Sequence, residues 1–262
     1  MWWKAALLGV VEGVTEFLPV SSTGHLILAS ELVDYPEPQR VTFEIFIQLG
    51  AILAVVWLYR RELWHLLRGA PFEPQARATL GKVLLAFLPA AVAGFLLHRM
   101  IEAHLFRPTV VAGSLVVGGL ILLWLEANDH RGQQRRLEEV SWRQAALIGV
   151  AQVASLVPGI SRAAATIAGG LWVGLERPVA TQFSFYLAIP TLGAASLYSL
   201  VRARGQLSAA EVWPLAIGFT VAFVSAALTV EALLRFVQRH TFRVFAYYRI
   251  ALGLFVLWYW GA

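Results

Sequence analysis

Residues 12–25 read EGVTEFLPVSSTGH, two carboxylates, a proline, a histidine and a cluster of hydroxyls set into an apolar run. AALLGVV (5–11) precedes them and LILA (26–29) follows. A proline inside a helix removes a hydrogen bond and ends or kinks it. Small polar residues after a proline restart one. Past Pro19 only about 12–14 residues remain before the next polar stretch, roughly 18–21 Å of helix against a hydrocarbon core of about 30 Å. The segment is too short to cross after the break. It reads as a re-entrant hairpin, helix–break–helix, entering and leaving on one side. Such backbone survives in a membrane only when buried in protein or lining a wet cavity.

The pattern returns once. WKAALLGVVEGVTEFLPVSS (3–22) resembles WRQAALIGVAQVASLVPGIS (142–161). An offset of 140 aligns Trp2 with Trp142, Gly9 with Gly149 and Glu12 with Gln152. One gap then pairs Pro19 with Pro158 and Ser22 with Ser161, and Phe43 and Phe183 return to the offset of 140. Between and after the hairpins, 2–33 and 142–175, lie six apolar runs long enough to span: 42–60, 79–99, 108–126, 179–201, 212–234 and 242–261. The expectation is one all-α integral membrane domain made of two repeats, 1–130 and 141–262. Each holds a re-entrant hairpin and three spans. Three is odd, so the repeats run in opposite orientations, an inverted-topology plan whose broken helices meet near the midplane.

Composition agrees. Hydrophobic residues make up 58% of the 262 and charged residues 14%, where a soluble domain carries about 25%. There is no cysteine, so disulfide and thiol chemistry are excluded. The net charge of +5 does not point to nucleic acid, because the basic residues sit between apolar runs. Trp2, Trp3, Trp258 and Trp260 fit interfacial anchoring near the chain ends. The first apolar run, which contains Glu12 and Glu16, does not read as a cleavable signal peptide. Thirteen Arg and Lys residues fall on one side of the spans, among them Arg60, Arg61, Arg131, Arg135 and Arg143; six, including Arg107, Arg202 and Arg204, fall on the other. The richer side is expected to be cytoplasmic. Both termini and the mouth of the first hairpin then face outward. Arg162 and Arg249 belong to neither side.

Glu12 and Glu16 share a helix face. Two carboxylates there repel in a low dielectric unless a divalent metal, an arginine or a shared proton lies between them. Ser21, Ser22 or Thr23 can cap the helix after Pro19, whose exposed N–H groups and dipole attract anions. His25 stands three residues after Ser22, within reach as a base for a serine nucleophile. At the second break Ser161 is the cap, Arg162 offers a planar fork for phosphate, and Thr166 lies one turn on. Brought together, the tips hold the parts of metal-assisted phosphoryl transfer, with Glu12 and Glu16 as metal ligands and either Ser22 or a water as the attacking group.

At these residues the chain resembles the BacA/UppP family of undecaprenyl-diphosphate phosphatases. GVVEGVTEFLPVSSTGHL reads like its first signature and PGISRAAATIAGG like its second, and FEIFIQLGAILAVV and QFSFYLAIP extend the likeness along the chain. The resemblance implies a multi-pass enzyme of the bacterial plasma membrane, opening to the outer side. It would remove the terminal phosphate of the C55 lipid carrier diphosphate, support cell-wall synthesis and contribute to bacitracin resistance. It implies a divalent cation, Mg2+ or Ca2+, a polyprenyl diphosphate and membrane lipids as partners, with a homodimer left open. By position, the acidic pair falls on Glu12 and Glu16, the serine and histidine on Ser22 and His25, and the phosphate-binding arginine on Arg162. One departure is present: the family usually reads Ser-Arg-Ser-Gly-Ala-Thr where this chain has Ser161-Arg162-Ala163-Ala164-Ala165-Thr166. A lipid-phosphate flippase or transporter is the competing reading, because transporters use inverted repeats. Such a protein needs an anion site but no nucleophile.

Overall fold

Both proline breaks fall between helices. The computed structural model describes residues 1–105, 107–128, 136–202 and 212–261. In the first half, α1 (Trp2–Thr15) and α2 (Ser22–Leu32) form the hairpin, followed by α3 (Glu37–Leu58), α4 (Arg60–Gly69), α5 (Pro74–His104) and α6 (Pro108–Ala127). In the second, α7 (Trp142–Val153) and α8 (Arg162–Trp172) form the hairpin, followed by α9 (Arg177–Arg202), α10 (Val212–Val237) and α11 (Arg243–Gly261). The described residues contain no strand. Arg131, Arg135 and Arg204 of the charge count, and the repeat limits at 130 and 262, lie outside the described residues, as do the side chains of Arg202 and Trp260.

Four helical stretches are long and apolar enough to cross a membrane: Pro74–Ile101, Pro108–Ala127, Arg177–Val201 and Val212–Val237. Thr42–Leu58 is a fifth if it is counted together with Arg60–Gly69, to which it is bent by 72°. The chain is a membrane protein. The sixth expected span, 242–261, is helical as α11 but is not among these stretches; it carries Arg243 and Arg249. Read from sequence as one span, 42–60 instead ends at Tyr59, where the chain turns into α4. RRELWHLLRG is apolar on one face only: Leu63 and Leu66 pack toward the core while Trp64 and Leu67 stay exposed. A helix with a charged face does not continue along a span axis.

Helices 140 residues apart take matching places. α1 packs on α10 as α7 packs on α5, α3 meets α10 as α9 meets α5, and α6 lies along α11. The aligned glycines make the first two contacts. A Cβ on Gly9 would lie 2.6 Å from the oxygen of Gly218, and one on Gly149 would lie 2.5 Å from the oxygen of Ala86. Glycine there lets two backbones touch.

The breaks themselves match more closely than the sequence alignment has them. Ser21 and Ser161 are the caps, with φ of +73° and +64°. Their hydroxyls accept the N–H groups of Gly24 and Ala164, at 3.4 and 3.2 Å. Each cap opens an 11-residue helix, about 16 Å long and well short of a membrane crossing. The offset therefore stays at 140 through the break. Ser161 corresponds to Ser21 and not to Ser22, and no gap is needed. The prolines fall out of register because the second hairpin closes its first helix with a tight 3-10 turn, Ala154–Leu156. Arg162 then occupies the place of Ser22, so the two tips present different chemistry from equivalent positions.

Candidate active site

One guanidinium ties the tips together. Arg249, the seventh residue of the 19-residue α11, has no exposed surface. It donates to the carbonyl oxygens of Pro19 at 3.2 Å, Gly159 at 3.2 Å and Ile160 at 3.1 Å, which are loop residues of the two breaks. It also reaches Ser114 and Leu115 of α6, each at 3.4 Å. Among the described residues no carboxylate pairs with it. Gly118 leaves the room: a Cβ there would collide with Nη2 of Arg249.

So joined, the breaks bring the acids of α1 to the start of α8. Glu12 and Glu16 are 1% and 6% exposed. Ser22 donates its hydroxyl to Oε2 of Glu16 at 2.6 Å. The other oxygen of Glu16 faces Nε of Arg162 at 3.5 Å. Nη1 of Arg162 donates to the carbonyl and hydroxyl oxygens of Ser184 on α9, at 2.9 and 3.3 Å. The Phe17 ring lies 5.8 Å from the guanidinium carbon. Three buried polar atoms here have no hydrogen-bond partner: Oε1 of Glu12, and Nε and Nη2 of Arg162. Unpaired buried groups are costly, and a carboxylate oxygen beside an arginine corner leaves both ready for a ligand.

The expected Ser22–His25 pair does not form. Side chains in a helix lean toward its N-terminus. Ser22, the first residue of α2, therefore reaches back to Glu16. His25 folds over the cap, with Nδ1 2.7 Å from the Ser21 oxygen and Nε2 2.6 Å from the Tyr248 hydroxyl. Thr23 is half-buried beside Ser22 in the first turn. Thr166 is buried, and its hydroxyl bonds the Arg162 carbonyl at 2.9 Å and the Ser184 hydroxyl at 2.6 Å. Its hydroxyl thus links the backbone of Arg162 to Ser184, which itself accepts from the Arg162 guanidinium. Ser21 and Ser161 cap their helices. Their positive φ is unusual for non-glycine residues and costs on the order of 1–3 kcal/mol each, strain that recurs at functional sites.

A family model described as bacitracin resistance protein BacA matches residues 5–255. The chain belongs to the BacA family. Its relatives include undecaprenyl-diphosphatase 1 of Chromobacterium violaceum, 51% identical over 99% of this chain and 97% of the relative. Undecaprenyl-diphosphatase 2 of Rhodospirillum rubrum is 52% identical over 97% of this chain and 93% of its own. The undecaprenyl-diphosphatase of Methylococcus capsulatus is 50% identical over 98% and 94%.

The alanines at 163 and 164, the one departure from the family pattern, are buried in the second tip, and the amide of Ala164 is the one capped by Ser161. Three residues with roles at the tips were not assigned one from sequence. Arg249 stood out only as an arginine inside an apolar run. Ser184 and Tyr248 gave no signal, since their partners lie 22 and 223 residues away.

Proposed function

We propose that the chain is an undecaprenyl-diphosphate phosphatase that cleaves the terminal phosphate of the C55 lipid carrier on the outer side of the bacterial plasma membrane. The names of its relatives support the substrate. The linked set Ser22–Glu16–Arg162, at 2.6 and 3.5 Å, supports the chemistry. The free Nη2 corner of Arg162 and the amides opening α2 and α8 receive oxygens of the terminal phosphate. Ser22 is hydrogen-bonded to a carboxylate, the arrangement of an activated nucleophile. Its oxygen attacks phosphorus, the bridging P–O bond breaks, the lipid monophosphate leaves, and Glu16 takes the serine proton. Glu16 passes that proton to the departing monophosphate, then takes one from a water that attacks the phosphoserine. The bond between the Ser22 oxygen and phosphorus breaks, phosphate leaves, and Glu16 returns the proton to the serine. Arg162 balances the charge that builds on the phosphoryl oxygens.

A divalent cation fits the acids. Oε1 of Glu12 is buried without a partner, and Glu16 keeps lone pairs beyond its two contacts. Mg2+ takes one or two carboxylates and fills its shell with water and substrate phosphate. Glu12 and Glu16 would hold the ion, which would screen the phosphate charge from the acids. The two 140-offset halves support the inverted-repeat plan of six spans, and the Arg and Lys bias supports placing both termini outside. The test is phosphate release by purified protein in detergent from a soluble polyprenyl diphosphate. Release without a membrane compartment supports the enzyme. Binding without release supports a transporter.

A further inference from the structure

Each ring nitrogen of His25 has a partner. Nδ1 lies 2.7 Å from the Ser21 carbonyl oxygen. A carbonyl only accepts, so Nδ1 carries a proton. In the neutral ring Nε2 is then the nitrogen with the lone pair, and the Tyr248 hydroxyl, 2.6 Å away, donates to it. The two rings lie within 7° of parallel, centroids 5.6 Å apart. The contact holds the ring plane as well as its edge.

The position of Tyr248 is itself fixed. Its neighbour Arg249 is fully buried and bonded to both tips. Tyr248 is 46% exposed, so the Nε2–hydroxyl pair lies at the protein surface and not in the packed core. Ser22 is engaged by Glu16, which leaves His25 free of the task of activating it.

We propose that Tyr248 is a positioning residue for His25. The Ser21 carbonyl sets the tautomer with Nε2 unprotonated, and the Tyr248 hydroxyl, donating to that nitrogen, holds the ring in the one orientation in which the pair takes up or passes on a proton during turnover. Without the hydroxyl the ring keeps its Nδ1 bond but turns freely about it, and the productive orientation is only one among several. This assignment rests on the phosphatase reading.

Two measurements separate the assignment from that reading. The first is a double-mutant cycle of phosphate release with Tyr248→Phe and His25→Ala. In the wild-type background Tyr248→Phe lowers kcat by about tenfold, the size of one lost hydrogen bond, with KM and melting temperature nearly unchanged. In the His25→Ala background it lowers kcat no further. An equal loss in both backgrounds, or none in either, overturns the assignment. The second needs no turnover: carbethoxylation of His25 by diethyl pyrocarbonate, followed by mass spectrometry. The reaction should be several-fold faster in Tyr248→Phe, because Nε2 is uncovered. An unchanged rate overturns the assignment. Absence of phosphate release by the wild-type protein, with the reactivity difference present, overturns the phosphatase reading instead and leaves the Tyr248–His25 lock standing.

Discussion

Replacing Arg249 with methionine tests how the site is assembled. The side chain is fully buried, and its guanidinium donates to five backbone carbonyls. Those of Ser114 and Leu115 lie inside α6, where intrahelical bonds remain. Those of Pro19, Gly159 and Ile160 are in the break loops, and methionine leaves all three buried without that donor. A buried acceptor left unpaired costs about 1–3 kcal/mol, so the three sum to roughly 3–9. Removing a buried guanidinium recovers part of this, because its own desolvation is no longer needed. A net loss of about 3–5 kcal/mol follows. The functional loss is larger than the stability loss implies, since Glu16 and Arg162 sit on different tips and depend on this joint for their 3.5 Å approach. Thermal unfolding in detergent and phosphate release read the two effects separately. Gly118→Ala is the companion variant: its methyl displaces Nη2 and should reproduce a weaker form of the same defect with Arg249 still present. Arg249→Met with wild-type melting and turnover would refute the joint.

Ser22→Ala should lower turnover by at least about a thousandfold if Ser22 attacks, while melting changes little because Ser21 makes the cap; a loss of only a few-fold would make water the nucleophile. Glu12→Gln removes the unpartnered carboxylate oxygen and should weaken the activating effect of added Mg2+ or Ca2+; full activity of the wild type in excess chelator would end the metal assignment. Cysteines introduced at residues 2 and 258 should react with an impermeant thiol reagent in intact cells. Labelling only after permeabilisation would turn the protein over.

What the sequence made legible was what depends on neighbours along the chain. Pro19 and Pro158 interrupt apolar runs, and hairpins stand at both. Glu12 and Glu16 share a face because the helix period requires it. The arginine of the second tip reaches Glu16 of the first at 3.5 Å. Readings that turned on one residue fared less well. Three adjacent hydroxyls offered a cap, and only the backbone, with φ of +73° at Ser21, decides among them. That one-residue choice sends Ser22 back to Glu16 and takes it away from His25. The bend at Tyr59 was hidden because α3 is apolar up to the turn and the amphipathic α4 then adds a charged face. Arg249 bonds carbonyls, which every residue carries, so no residue type could announce its partners. Ser184 and Tyr248 act across distances in sequence that no local pattern spans.

In the proposed enzyme two separate breaks make one phosphoryl-transfer site, with Arg162 of the second serving Glu16 and Ser22 of the first. Arg162→Lys tests it most directly, because lysine keeps the charge beside Glu16 but loses the planar fork whose Nη2 corner is free. Phosphate release from a soluble polyprenyl diphosphate should fall by about a hundredfold or more, the usual cost of removing one donor from a developing oxyanion, while the protein still folds and inserts. Near-wild-type turnover in Arg162→Lys would contradict the account and leave Arg162 as no more than the counter-charge of Glu16.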